Sequence, residues 1–295
     1  MKYLNLSEGF NPFKIKADDA IIQFENFTFS GGEPHIKLDL RAADVEDKIM
    51  ISHRIRSFED LGLLVLAVDA IRRIAPGINK SIALTVPYFP GARQDRRMVP
   101  GESLSSKVYT DLINGLGFDQ VSILDPHSDV TPALLNNCFI INNHRLVVAA
   151  LQDIYPQRDA PSPWIVAPDA GAVKKVIDLG KYLSDFNKNF DILECGKERD
   201  VKTGQLKAFK VHEDDLQGRD CVIVDDICDG GGTFLGLAEE LKKKNAGKLY
   251  LIVSHGIFSK GLEPFNGVFE AIYTTDSFSE KSEGLMKVIN LNTIM

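Results

Sequence analysis

Five short apolar runs, Ser81–Val86, Val121–Leu124, Trp164–Ala167, Cys221–Val224 and Leu249–Val253, recur along the chain with longer helical patterns between them. Each is too short for a typical helix and too uniformly apolar to have a solvated face, so each reads as a strand buried on both sides. Such strands need helices over both faces, which directs the chain to an α/β architecture with central parallel sheets flanked by helices. Between the first two runs, Leu104, Val108, Leu112 and Leu116 repeat every four residues, with Ser103 placed as N-cap and Gly117 as terminator. That face is expected to lie on a sheet. A further helix is expected from about Thr233, with Phe234, Leu237, Ala238 and Leu241 on one side, Lys242, Lys243 and Lys244 near its negative end and Gly247 as stop.

Both helix-strand units end in a histidine segment, Asp125-Pro126-His127-Ser128 and Ser254-His255-Gly256, which suggests two similar halves. The stretch Asp153 to Pro163, with Pro156, Pro161 and Pro163, is expected to break any helix and link them, giving domains 1–150 and 151–295. The 295 residues, 44% of them apolar, suffice for two cores. A net charge of -7 offers no broad cationic field for a nucleic acid, so the expected partner is a small molecule. Cys138, Cys195, Cys221 and Cys228 match no CxxC or zinc spacing, which fits a reduced, cytoplasmic setting. No apolar run reaches the roughly 18 residues of a membrane span, and Met1 to Glu8 lacks a signal peptide's apolar stretch, so a soluble protein is expected.

The strongest chemical signal is Val222-Ile223-Val224-Asp225-Asp226-Ile227-Cys228-Asp229-Gly230-Gly231-Gly232-Thr233, an apolar strand leading through acids and glycines into a helix. Glycines let backbone N–H groups close around a phosphate, and the helix N-terminus adds favourable partial charge. Asp225 and Asp226 would repel a bare phosphate, so they are expected to face ribose hydroxyls or a divalent cation. A sugar phosphate satisfies both ends. No Gly-Lys is followed by Ser or Thr as a P-loop requires, and the glycines do not fit GxGxxG.

This loop resembles the phosphoribosyl-binding motif shared by type I phosphoribosyltransferases and ribose-phosphate pyrophosphokinases. Five further segments resemble the pyrophosphokinases: Tyr88 to Arg97, Leu124 to Ser128, Ile165 to Gly171, Cys195 to Asp200 and Ser254 to Ser259, in family order. The resemblance implies two similar phosphoribosyltransferase-type (type I) domains, the first carrying nucleotide-binding segments and the second the ribose-5-phosphate loop. It implies transfer of the β,γ-pyrophosphoryl group of ATP to the C1 hydroxyl of ribose 5-phosphate, giving 5-phosphoribosyl 1-pyrophosphate and AMP.

Arg93 and Gln94 follow a strand and a Pro-Gly loop, where open α/β sheets place ligand groups; the resemblance implies that they contact ATP together with Phe29, Glu33, Asp95 and His127. His127 and Asp169, each just past a strand end, read equally as structural residues, whereas the resemblance makes them the holders of Mg²⁺, partly through water. Asp169, Asp225, Asp226 and the loop Asp229, Gly230, Gly231, Gly232, Thr233 would bind ribose 5-phosphate. Lys197 and Arg199 lie in a charged, weakly periodic stretch, Gly196 to Gln217, that composition alone makes a solvated loop; the resemblance makes them the catalytic cations folding over the reacting phosphates. It also implies a homo-oligomer, built from dimers and reaching a hexamer. Two positions depart from the family pattern: Gly31 stands where an aspartate reads the adenine amino group, and Gly230 stands where the loop carries a threonine. The rival readings are a type I phosphoribosyltransferase consuming the same product and a non-catalytic pyrophosphokinase-associated subunit.

Overall fold

The computed structural model describes residues 1–41, 48–74, 81–156, 162–185, 190–199 and 206–295, with the side chains of 197–199 and 206–208 excepted. The chain forms two compact units that divide between Asn142 and Asn143, with residues 291–293 and 295 joining the first. The division therefore precedes helix α4, His144–Ile154, which also takes Asp153 out of the proline-rich stretch; residues 157–161 of that stretch lie outside the described residues.

In the first unit, β1 (Lys2–Asn5), β2 (Ala20–Ile21), β5 (Ile49–Ser52), β6 (Ile82–Thr85), β7 (Gln120–Leu124) and β8 (Cys138–Ile141) form one parallel sheet ordered β2-β1-β5-β6-β7-β8. The strand β3 (Phe24–Thr28) pairs antiparallel with β4 (Pro34–Leu38) as a separate hairpin. The apolar side of α1 (Phe58–Ile74), through Leu61, Leu64, Val68 and Ile71, packs with Leu4, Ile51, Leu84 and Ile123 of the sheet. That stripe holds the i, i+3, i+7, i+10 spacing of a helix buried on one side.

The helix α2 (Ser105–Gly115) corrects the expected face. Ser106, Thr110 and Ile113 are buried, while Val108 and Leu112 are 45% and 44% exposed. Leu104 occupies the N-cap with no side-chain cap, and Ser103 instead bonds Ser105. Buried hydroxyls explain the rotation: Ser106 Oγ donates to Gln94 O at 3.1 Å and Thr110 Oγ1 to Lys107 O at 2.9 Å, so polar residues can face inward with their hydrogen bonds made.

In the second unit, β9 (Trp164–Ala167), β10 (Asp191–Arg199), β11 (Leu206–Val211), β12 (Cys221–Cys228), β13 (Leu249–Gly256), β14 (Ala271–Thr275) and β15 (Met286–Ile289) are ordered β11-β10-β9-β12-β13-β14-β15. All neighbours are parallel except the pair β10 and β11. Alternate residues of β12 bury into opposite layers: Val222 and Val224 pack with α4 and α5 (Ala170–Ser184), Cys221 and Ile223 with α6 (Gly232–Lys243). Two-sided burial is what the continuous apolar run demanded. The segment from Gly196 to Gln217, composed like a solvated loop, instead contains β11 and the end of β10, paired through Cys195 with Val211 and Lys197 with Phe209. Cross-strand pairing supplies order that composition does not advertise.

Candidate functional site

In an open parallel sheet, ligands bind beyond the carboxyl ends of the strands where the strand order reverses. In the second unit β9 is that point, because β10 follows to one side of it and β12 lies on the other. Asp169, two residues past β9, and the acids of β12 therefore come to one place by topology. Asp225 and Asp226 are not in a turn; β12 continues through them and pairs with β13 as far as Cys228 with Gly256. Asp226 is 6% exposed, and its backbone N–H donates to Asp225 Oδ1 at 2.9 Å. Burial raises the Asp225 carboxyl well above the usual range, and the neighbouring Asp226 and Asp169 charges push it further. Asp169 Oδ1 accepts from Gly171 N at 2.9 Å and Ala172 N at 3.2 Å, so it also caps α5.

The loop after β12 ends on α6, whose N-cap is Gly231 with no side-chain cap and no acid in the first turn. The first amides of α6 are thus left without an intrinsic side-chain acceptor, which is the arrangement that attracts an anion. The three glycines are not equivalent. Gly231 has φ +76°, and a β-carbon there would meet the Phe265 ring, with Cε2 at 3.0 Å, Cε1 at 3.2 Å and Cζ nearer still. At Gly232 a β-carbon would meet nothing within 4 Å, and at Gly230 it would touch the Lys260 side chain. Lys260 is a residue that motif reading missed, since no pattern links it to a loop thirty positions earlier; only the fold brings the two together.

Ser254 and His255 are 0% and 2% exposed, and His255 Nδ1 lies 2.8 Å from Ser277 Oγ, which donates to Ser254 O at 3.0 Å. This histidine segment ties β13 to the exit of β14. Cys195 and Cys221 have their thiols pushed up to about 12 by burial, as expected of inert core cysteines.

In the first unit, Arg93, Gln94 and Asp95 follow β6 and His127 follows β7, and these two exits meet. Burial alone would raise the Asp95 carboxyl, but hydrogen bonds from Ser128 and Arg96, with the positive field of Arg96 and His127, hold it below its usual range. Gln94 N donates to Gly91 O at 2.9 Å, and Gln94 O receives Ser106 N and Oγ, which fixes this exit on α2. Phe29 and Glu33 stand apart at the tip of the β3-β4 hairpin, where Phe29 N donates to Glu33 O at 2.9 Å. Phe29 is 51% exposed, with Phe27 at 4.8 Å and His35 at 5.9 Å between ring centroids. His127 and Asp169 belong to different units, and among the described residues no group of three or more metal-ligating side chains forms. Lys197 and Arg199 lie on β10 by their backbones; their side chains lie outside the described residues.

The switch point of the first unit, between β1 and β5, is finished differently. Ser7, after β1, accepts from Arg54 N at 2.9 Å and lies 2.8 Å from Nδ1 of the buried His53, which follows β5. His53 Nε2 is 2.9 Å from Asp60 O. A carbonyl can only accept, so Nε2 carries the hydrogen and Nδ1 accepts from Ser7; burial keeps the ring neutral by lowering its pKa. Asp60 Oδ2 then accepts from Arg56 N at 2.7 Å and Ser57 N at 2.9 Å, while Asp60 N donates to Ser57 Oγ at 3.1 Å, a reciprocal capping box. A cavity of about 510 Å³ lies here between the hairpin and α1.

A family model described as a phosphoribosyl transferase domain matches residues 141–279. Ribose-phosphate pyrophosphokinase of Vibrio parahaemolyticus is 30% identical over 258 residues, covering 86% of this chain and 78% of its own. The Agrobacterium fabrum enzyme of that name is 32% identical over 262 residues, 88% of this chain and 76% of its own. The crystal structure of phosphoribosylpyrophosphate synthetase from Mycobacterium smegmatis superposes with a TM-score of 0.79 at 20% identity, covering 99% of this chain and 97% of the other, a likeness of fold. Among the described residues no helix is long and apolar enough to cross a membrane.

Proposed function

Because this chain belongs to the ribose-phosphate pyrophosphokinase family, we propose that it transfers the β,γ-pyrophosphoryl group of ATP to the C1 hydroxyl of ribose 5-phosphate. The observation that carries the proposal is the pairing, at one switch point, of crowded carboxylates on β12 with an uncapped, glycine-closed helix start. The 5-phosphate takes the amides of residues 229–233, and Asp225 and Asp226 accept hydrogen bonds from the ribose hydroxyls. The exits of β6 and β7, with Arg93, Gln94, Asp95 and His127, receive the nucleotide, and Phe29 and Glu33 meet its base.

The C1 oxygen attacks the β-phosphorus, the bond from that phosphorus to the α,β-bridging oxygen breaks, AMP leaves, and the hydroxyl proton passes to solvent. Positioning and charge neutralisation carry such a step, so no general base is assigned. Lys197, Arg199 and Arg93 stabilise the transferring group. An imidazole and a carboxylate, His127 and Asp169, are a thin donor set that suits Mg²⁺, which accepts few direct protein ligands and keeps much of its water. Mg²⁺, held by His127 and Asp169 partly through water, would neutralise the triphosphate. Self-association is supported by apolar side chains left exposed on the first unit, Val108, Leu112, Phe139 and Ile140.

Phosphorus NMR of the chain with ribose 5-phosphate, magnesium and ATP tests the reaction. AMP and a sugar pyrophosphate are expected. Formation of ADP would overturn pyrophosphoryl transfer, and pyrophosphate release that requires a free base would favour a phosphoribosyltransferase instead.

A further inference from the structure

The loop of residues 222–233 contains three aspartates and no lysine or arginine, so backbone amides alone face a dianionic phosphate beside like charges. A cation from elsewhere in the fold would balance the loop, and the turn after β13 delivers one. Ile257 N and Phe258 N both donate to Cys228 O, at 2.8 and 3.2 Å, which clamps this turn to the residue preceding the loop. Gly261 N donates to Phe258 O at 2.9 Å, Phe258 has φ +45°, and the Phe258 ring meets Phe265 at 5.6 Å. Since Phe265 also closes over Gly231, the turn and the loop are braced by the same ring.

Within that turn, Lys260 lays its stem on the loop. A β-carbon at Gly230 would lie 3.4 Å from Lys260 Cε, 3.5 Å from Cδ and 3.9 Å from Cγ. The Lys260 ammonium makes no hydrogen bond or ion pair among the described residues, and the residue is exposed. A bare glycine at 230 and a lysine stem crossing it are therefore one feature. Threonine at 230 would bring a hydroxyl to the loop but would have to share its volume with that stem.

We propose that Lys260 is a phosphate-binding residue of this site, its ammonium supplying from the β13 turn the donor that position 230 lacks. The proposal deepens the sugar-phosphate reading above and rests on it. Such a contact is charge-assisted but solvent-exposed, which sets its size near tenfold in affinity. Lys260→Met keeps the stem and removes the charge, whereas Lys260→Arg keeps the charge.

The test is calorimetric titration of the full chain and both variants with ribose 5-phosphate and, separately, with inorganic phosphate, each variant's melting temperature being checked first. K260M is expected to weaken ribose 5-phosphate binding about tenfold, with K260R within about threefold of the parent. Adding Gly230→Thr to Lys260→Ala, which removes the stem as well as the charge and so frees the space at 230, is expected to recover part of the loss seen in Lys260→Ala alone, a non-additive result that a merely structural lysine would not produce. Equal affinity of K260M and the parent would overturn the role of Lys260 and leave the sugar-phosphate site standing. Lys260-dependent binding of inorganic phosphate without binding of ribose 5-phosphate would overturn the sugar and keep the lysine; binding of neither would overturn both.

Discussion

The two units share a strand order around their switch points and treat the helix beyond it in opposite ways. In the first unit Ser57 Oγ accepts from Asp60 N in the first turn of α1, the Asp60 carboxylate accepts from Arg56 N and Ser57 N just ahead of the helix, and the exits of β1 and β5 are tied together by Ser7 and a neutral His53. In the second unit the corresponding helix, α6, starts on a glycine with no capping side chain, and the strand leading to it carries acids that repel one another. A single topology thus yields a self-satisfied end or a ligand-demanding one, and the difference lies in who accepts from the first amides.

The sharpest way to break this contrast is Gly231→Ala. Left-handed strain and overlap with Phe265 together are expected to cost the second unit about 2–5 kcal/mol, read from urea unfolding, and to abolish ribose 5-phosphate binding. Retained binding would mean that the glycine-closed helix start is not the anion site. Next in size, Asp60→Ala removes the capping box and is expected to cost the first unit about 1–2 kcal/mol by the same unfolding assay, with sugar-phosphate affinity unchanged.

Acid should separate the units further. His53 has a folded pKa below its ordinary 6.5, so its stabilising contribution is full above 6.5 and is lost as pH falls toward the lowered folded value. Asp225 has a folded pKa above 3.8, so the folded state binds that proton more tightly and the second unit loses stability as pH rises through the raised value. Urea midpoints taken from pH 7.5 down to 5 should show His53→Asn flattening the acid-side loss and Asp225→Asn flattening the opposite trend, each by less than about 1.4 kcal/mol per pH unit. The smallest expected change in stability is Gly232→Ala, where a β-carbon meets no protein atom: stability should rise by about 0.4–1 kcal/mol in the same assay.

The strands and the loop were legible because they depend on local pattern: largely apolar runs of four to six residues, and acids leading into glycines. The exposed face of α2 was not legible, because a four-residue repeat of Leu104, Val108, Leu112 and Leu116 marks an apolar stripe without saying what covers it. Nor was the pairing of β10 with β11, which composition disguises as solvated loop, nor the meeting of Asp95 with Ser128 and of Gly230 with Lys260. Each of these depends on contacts between residues far apart in the chain, which no periodicity encodes.

That β12 keeps its ladder to β13 as far as Cys228 has a thermodynamic consequence for recognition. Asp225 and Asp226 ride on a hydrogen-bonded framework, and the turn at Gly231 is propped by an aromatic ring, so both grips are set at a fixed spacing when the chain folds. If this is the proposed sugar-phosphate site, capture would require little ordering of this part of the protein, and the association entropy should be dominated by the ligand's own lost freedom and by released water.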